Sequence, residues 1–488
     1  MPRNRPATEP SAAAPRLPPP TSKGLRTRQQ IINAARRVIN RCGYRDARIS
    51  DIIAETGWPT GTFYRYFDGK IDVTLQLLRE GVQDYNAHLP VAATASLFER
   101  DLVAHRELIE LFGRDPGLLN CYFSCGEKEE GLVRFFHEQT ERFIDGYHAF
   151  VRTHCGYGHL AKKDFYAIAA ALCGLAENYV YRLFARGGAP PQDRQELALT
   201  LTVLRHRAVL GCDPGRRLPA VLATLDGPAR RARRATGSAA PAPVAAADAL
   251  PAAAGPVGLR ADSKATLARI ERTTLRLLDR LGYEDLRLSD VEEHASITRG
   301  AIYHHYADKD ALIRKVLLDR LYKIDAAVAA AAQPAGAAGG PFDALLLLSR
   351  ALVEAFAGTP GVLRVLNQLQ DRDAQVHAVW EALWQHWVGL LAGVLVAHSA
   401  GSPGTSETIR PVADAFLAMA ERLLRDLYVA PFGRLHSTIR SREAAAVLLA
   451  ALWTRMAFRS RLPAMAIRHF PFFGMQPNAR RKSGEHAT

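Results

Sequence analysis

Apolar residues recur along this chain at intervals of three and four, and alternating runs of β-branched residues are missing. That spacing predicts helices nearly throughout. Between Thr27 and Cys42, residues Ile31, Ile32, Ala35, Val38 and Ile39 fall on one helical face, and between Val133 and His154 so do Phe135, Phe136, Phe143, Tyr147 and Phe150. Further long helices are expected over 164–186, 194–210, 268–281, 374–398, 409–429 and 442–459. Three short helices followed by several long ones occur twice, and the fold class is all-α.

The pattern lapses in places that divide the chain. Residues 1–24 are rich in Pro, Ala and Arg without periodicity and read as a disordered basic tail; residues 225–258, containing "RRARR" (Arg230 to Arg234), read as a flexible linker. Two halves result. A shorter Ala/Gly-rich piece, Ala331 to Pro341, interrupts the second half, and beyond Phe470 the chain turns polar and basic, including "ARRK" (Ala479 to Lys482). The expected organisation is therefore 25–82 and 83–224 in the first half, 259–322 and 323–470 in the second, and a disordered tail over 471–488.

A length of 488 residues exceeds one core, and a formal charge of +14 favours a polyanionic partner. The N-terminus lacks the hydrophobic segment of a secretion signal, and no apolar run of about 18 residues free of charge is present, so a cytoplasmic protein without a membrane partner is expected. All six cysteines (Cys42, Cys121, Cys125, Cys155, Cys173, Cys212) precede residue 213, unlike a disulfide framework spread over a secreted chain.

The most informative feature is a repeat. "GTFYRYFDGK" (Gly61 to Lys70) returns as "GAIYHHYADK" (Gly300 to Lys309), and an ungapped alignment of 43–70 with 282–309 keeps Gly43, Tyr44, Asp46, Arg48, Ser50, Asp51, Gly61, Tyr64 and Lys70 as Gly282, Tyr283, Asp285, Arg287, Ser289, Asp290, Gly300, Tyr303 and Lys309. Each copy has the same local logic. Gly43 and Gly282 end a first helix where positive φ is commonly required, and Ser50 and Ser289 can cap a second, with Glu292 completing a capping box. A tight turn and a brief third helix follow, which is the helix-turn-helix plan. Gly61 and Gly300 sit on that third helix at a cost in helix propensity, so close packing or close approach to DNA is expected to require the missing side chain.

"DIIAETGWPTGTFYRYFDGKIDV" and "DVEEHASITRGAIYHHYADKDAL" both resemble the DNA-binding domain of TetR family regulators over roughly 25–82 and 260–320. Beyond those limits the likeness rests on helical layout, including a match of "GLAENYVYRLF" (Gly174 to Phe184) with "AMAERLLRDLY" (Ala418 to Tyr428). The resemblance implies two tandem units, each a three-helix DNA-binding domain followed by a helical ligand-binding and dimerisation domain. It implies a transcriptional repressor on a double-stranded operator, responsive to an unidentified small-molecule effector, as an intrachain pseudo-dimer or a homodimer. Carried over by position, Thr60, Thr62, Arg65 and Tyr66 face the groove while Tyr64 and Lys70 contact phosphates. In the second copy Arg299, Ala301, His304 and His305 take the reading positions, with Tyr303 and Lys309 on the backbone. Arg can pair with guanine, Thr offers a methyl or a hydroxyl, and Lys is a phosphate counter-charge.

Other features modify this picture. Residues 25–82 hold ten Lys/Arg against six Asp/Glu, whereas 259–320 hold twelve against eleven, a weaker electrostatic footprint for the second copy. Ser296 replaces the turn glycine, and Ala301 lacks the hydroxyl of Thr62. Cys121 with Cys125, and His154 with Cys155 and His159, lack the paired spacing of structural zinc sites, so no metal or cofactor is expected. Trp380, Trp384 and Trp387 form one stripe that suits core packing, with an apolar pocket as the alternative. No catalytic motif stands at a recognisable spacing, and the protein is expected not to be an enzyme. Two rivals stay open: only the first copy reads DNA, or the helical domains bind a partner protein without any operator.

Overall fold

The first helix, Ser22–Asp46, shows how the spacing becomes structure. Thr21 Oγ1 caps it by accepting from the Gly24 amide at 3.2 Å, and Ile31, Ile32, Ala35, Val38 and Ile39 are all buried. It breaks at Gly43, whose φ of 76° and ψ of 166° lie in a region open in practice only to glycine. Helices Ile49–Ala54, Thr60–Tyr64 and Lys70–His88 follow. The structure, a computed structural model, describes residues 21–89, 96–117, 120–121, 129–185, 193–215, 218–225, 261–335, 339–370, 372–399 and 406–477. Residues 1–20, the linker after Leu225, Cys125 and residues 478–488 lie outside them. Among the described residues there are helices and no strands.

Among the described residues the repeat extends beyond the short helices. Helix starts Ser22 and Ala261, Ile49 and Leu288, Thr60 and Arg299, and Lys70 and Lys309 all stand 239 residues apart. The next set, Leu97 and Pro341, Glu130 and Ala374, and Lys162 and Ser406, stands 244 apart. The last long helices, Arg194–Leu210 and Arg442–Phe458, stand 248 apart. The largest change in helix length among these pairs is in the fourth helix: Lys309–Ala335 has 27 residues where Lys70–His88 has 19.

The chain forms two compact units, residues 1–87 with 114–135, and residues 88–113 with 136–488. In the first, Asn40 Oδ1 accepts from the Gly117 amide at 2.9 Å, and Asn40 Nδ2 donates to Asp115 at 3.0 Å. In the second, Asp279, the counterpart of Asn40, accepts from the Gly361 amide at 3.0 Å and fastens helix Ala261–Asp285 to helix Pro360–Leu369.

The second unit is built on helices Lys162–Ala185, Arg194–Leu210, Ser406–Leu424 and Arg442–Phe458, the last buried from Ala444 through Ala457. Contacts between the two halves are reciprocal, as in an interface between like subunits. Asn178 Nδ2 donates to Glu421 at 3.1 Å while Arg422, its counterpart, donates to Glu177 at 3.2 Å. Arg207 donates to the carbonyls of Met456 at 3.0 Å and Ala457 at 3.4 Å, and Arg455 donates to the carbonyl of Val209 at 3.1 Å. Each arginine so satisfies carbonyls left open at the end of the opposite helix.

Several expectations change. The buried seam of Glu130–His154 runs through Leu132, Phe135, Ile144, Tyr147 and Val151, whereas Phe136, Phe143 and Phe150 are half-buried at its edges. Ser50 and Ser289 are exposed and do not cap. Asp51 and Asp290 instead accept from the amides of Arg48 at 3.3 Å and Arg287 at 2.7 Å, one turn back. Pro471–Gly474 is a buried 3₁₀ turn: Phe472 packs on Phe165 (4.9 Å between centroids) and Tyr157 (5.4 Å), so apolar burial holds a segment that composition assigned to a tail. Trp380, Trp384 and Trp387 are buried, with the Trp384 and Trp387 indoles donating to Asp414 and Asp325, each at 2.8 Å. Their helix, Ala374–Ala397, is long and apolar enough to cross a membrane by composition, and its inward face is core.

Candidate nucleic-acid interface

The third helix of each copy is anchored by one face and offers the other. Phe63 and Ile302 are fully buried and Phe67 and Tyr306 nearly so, which fixes the rotation of both helices. Thr60, Gly61, Tyr64 and Arg65 are then exposed in the first copy, and Arg299, Gly300, Tyr303 and His304 in the second. Tyr64 is 48% exposed and Tyr303 50%, unusual for aromatic side chains, on matching faces. Thr62 and Tyr66, and Ala301 and His305, lie at the half-buried edges. His304 and His305 are in contact, their rings 5.0 Å apart.

The turn before the helix has one geometry in both copies. Gly57 has φ of 70° and its counterpart Ser296 has φ of 51°. A left-handed serine costs on the order of 1 kcal/mol, so the second copy keeps the turn without the glycine that would relieve it.

Two glycines remain unexplained within the chain. A Cβ built on Gly61 meets nothing within 4 Å, and one on Gly300 meets only Thr298 Oγ1 at 4.0 Å. Neither residue has positive φ. Packing among the described residues thus does not account for either glycine.

Lys70 and Lys309 differ from the sequence-based expectation in where their charge goes. Lys70 Nζ donates to the carbonyls of Tyr44 at 2.9 Å and Arg45 at 3.1 Å and lies 4.4 Å from the Tyr44 ring centroid. Lys309 donates to Tyr283 at 3.1 Å and Leu286 at 3.2 Å, over the Tyr283 ring at 4.7 Å. Both ammonium groups stitch the broken end of the first helix to the start of the fourth. Burial pushes the Lys70 ammonium below the usual lysine range.

Charge distinguishes the copies. Glu55 accepts from Arg41 at 2.6 Å and Arg37 at 2.7 Å, which hold its carboxyl below the usual range and leave the three side chains with a net positive charge. In the second copy Arg299 Nε donates to Glu292 at 2.7 Å, so its charge is paired from the preceding helix. The signal was present in the alignment, where Glu292 occupies the place of Ile53. Arg48 and Arg287, exposed in both copies, were passed over although they recur.

Within the first half, the interior of the second unit holds a polar cluster. Asp101 accepts from Tyr147 at 3.0 Å and from Arg205 at 3.4 Å; His105 Nδ1 lies 2.8 Å from Thr202 Oγ1. All are buried, and His105 Nε2 has no hydrogen-bond partner among the described residues. Burial holds His105 well below the usual imidazole range, hence neutral, and raises Asp101. In the second half the matching positions are Leu345, Ser349, Leu391, Trp453 and Ala450. Among the described residues no three His, Cys, Asp or Glu side chains are grouped to hold a metal ion.

Comparison with known proteins agrees with this geometry. The family described as bacterial regulatory proteins, tetR family, matches residues 31–77 and 270–316, one stretch in each copy. An uncharacterized HTH-type transcriptional regulator in the lacX 3' region of Lactococcus lactis subsp. lactis is 29% identical over 99 residues, covering 20% of this chain and 50% of that protein. The HTH-type transcriptional regulator YdgC of Bacillus subtilis (strain 168) is 27% identical over 184 residues, covering 35% of this chain and 87% of that protein. The match to the first of these spans half that relative's length.

Proposed function

We propose, starting from two TetR-like units fused in tandem in one chain, that the protein is a transcriptional regulator whose two unlike heads read the two halves of one asymmetric operator. The observation that carries this reading is the pair of helix glycines, Gly61 and Gly300, which recur where no atom among the described residues requires them. Thr60, Thr62, Arg65 and Tyr66 are assigned to the first groove and Arg299, His304 and His305 to the second, with Tyr64 and Tyr303 against the phosphate backbone. Lys70 and Lys309 are assigned a positioning role, and Arg48 and Arg287 are added as phosphate counter-charges.

Selection of bound DNA from a random pool tests the reading. The expected product has two dissimilar half-sites with centres about 34 Å apart, bound with an affinity that falls steeply with salt. A palindrome protected equally in both halves would sink it.

A second reading, in which only the first head reads bases, is favoured by the Glu292–Arg299 pair. Glu292→Gln separates the two. If the second head reads, freeing Arg299 and removing a carboxylate from the interface should raise operator affinity on the order of threefold to tenfold, about 1 kcal/mol. An unchanged Kd leaves the second head a scaffold.

The effector is assigned to the first half, because only there does the core carry Asp101, His105, Tyr147 and Arg205 where its counterpart is apolar apart from Ser349. Compounds that shift the unfolding midpoint of the wild-type chain and weaken operator binding are expected to lose both effects in His105→Ser, which copies the second half. Retention of both places the effector elsewhere. By reciprocity, operator DNA must then weaken effector binding by the same factor.

A further inference from the structure

The seam between the two halves is symmetric in its backbone and asymmetric in its side chains, and we infer that it accepts unlike halves only. The partner of each half is thus the other half of the same chain, and not a second copy of itself. Reciprocal bonds at Asn178–Glu421 and Arg422–Glu177 establish that residues 244 apart occupy equivalent places across the seam. The contacts of either self-pairing therefore follow by exchanging each residue for its counterpart.

Arg182 is the decisive residue. It is 5% exposed, donates to Glu381 at 3.0 Å, lies 3.8 Å from Asp414 and stacks on Trp384 with its guanidinium 3.5 Å from the ring centroid. The counterparts of Glu381, Trp384 and Asp414 are His137, Thr140 and Ala170, and the counterpart of Arg182 is Asp426, which faces His137 electrostatically. If the first half paired with itself, Arg182 would meet His137 and Ala170 in place of Glu381 and Asp414 and so lose both carboxylates it now faces, at two places. If the second half paired with itself, Asp426 would meet Glu381 and Asp414, three carboxylates together beside Arg422 and Arg425, again at two places. Burying a charge without its partner is strongly unfavourable, whereas the mixed pairing satisfies it once and keeps Asp426 away from Glu381 and Asp414.

Shape repeats the lesson. A Cβ on Gly174 would stand 2.8 Å from Arg422 Cγ and 2.9 Å from its Cβ, so the arginine stem fills the space that glycine leaves. At the mirror place Ala418 has its methyl and faces the shorter Asn178, whose amide donates to the Ala418 carbonyl at 2.7 Å. In a self-paired second half Arg422 would meet Ala418 twice; in a self-paired first half Asn178 would leave the arginine's volume empty twice. Both self-pairings lose in both respects. The inference does not depend on either head binding DNA, and its tests use no DNA.

Light scattering on the full chain tests it first. Wild type is expected as one chain of 53.5 kDa per particle across the accessible concentration range. Exchanging the charges, Arg182→Asp with Asp426→Arg, penalises the mixed pairing and gives the second half a complementary partner in its own copy. That variant should shift to two or more chains per particle. A companion pair reads the same contact through heat: Arg182→Glu should lower the unfolding midpoint, and adding Asp414→Arg should recover at least half of the loss, which decides the matter even if the exchanged variant does not fold. A wild type that is already a dimer overturns the inference. So does an exchanged variant that stays single-chained with an unaltered midpoint, or an Arg182→Glu whose loss Asp414→Arg does not restore.

Discussion

Gly61→Ala is expected to leave the fold intact, with an unfolding midpoint equal to or above that of wild type, and to weaken DNA binding at least tenfold. The two effects have opposite signs because they arise in different surroundings. Within the chain the new methyl meets nothing within 4 Å, and alanine in place of a helix glycine contributes roughly 0.5–1 kcal/mol of stability. Against DNA the same methyl stands on the exposed face between Thr60 and Tyr64, where the reading helix must come close to bases and backbone. Displacing that helix by a fraction of an ångström disturbs every neighbouring contact, and a tenfold loss corresponds to about 1.4 kcal/mol. Fluorescence anisotropy on a selected operator, read beside a melting curve, checks both halves of the expectation. A Kd within twofold of wild type removes Gly61 from the interface and takes the main support of the DNA-reading proposal with it. Gly300→Ala extends the test, since an equal loss there means that both heads dock.

Gly361→Ala should have the largest effect on the fold of any single methyl added to the second unit. The new Cβ would lie 2.9 Å from the Asp279 backbone nitrogen and closer still to Asp279 Cα and Oδ1. Backbone cannot swing aside as a side-chain tip can, so helix Ala261–Asp285 must move away from helix Pro360–Leu369, and the bond from the Gly361 amide to Asp279 at 3.0 Å is broken. Overpacking together with loss of a hydrogen bond to a carboxylate amounts to about 3 kcal/mol. Burial raises the Asp279 carboxyl, and the Gly361 amide is the donor that opposes this, so breaking the bond raises it further. Hydrogen exchange is expected to show faster opening of helices Ala261–Asp285 and Pro360–Leu369, while the core from Ala444 to Ala457 stays protected. Uniform protection equal to wild type would mean that the head is not held through this joint. The counterpart, Gly117→Ala, meets Asn40 Oδ1 and the Ile39 carbonyl at 2.7 Å each and should loosen the first head in the same way.

Much of this architecture was legible in the linear pattern. The face of Ile31, Ile32, Ala35, Val38 and Ile39 is buried as its spacing required, because a single amphipathic helix needs only local periodicity to declare its inside. The breaks at Gly43 and Gly282 were legible for a similar reason, since positive φ selects one residue type. So were the two tetR-like stretches, whose short helices leave little freedom for the motif to vary. The helical bodies were legible only as helices. Their equivalence at spacings of 244 and 248 is carried by apolar positions that many side chains can fill, and the changed connections hide it from an ungapped alignment.

Sequence by itself thus determined the all-helical class, the duplication, and which helix of each copy is offered outward; these follow from periodicity and from residue types with one conformational use. Tertiary structure alone decided where the charges go. Lys70 and Lys309 have the same identity whether they face a phosphate or the carbonyls of Tyr44 and Tyr283, and only the fold brings those carbonyls within 3.1 Å. Arg299 is the same residue free or held by Glu292, and Arg182 the same with or without Glu381 and Asp414, which lie about 200 residues or more away along the chain. Long side chains take their role from whatever opposite charge or open carbonyl the packed helices bring near, and that distance is not written in sequence separation.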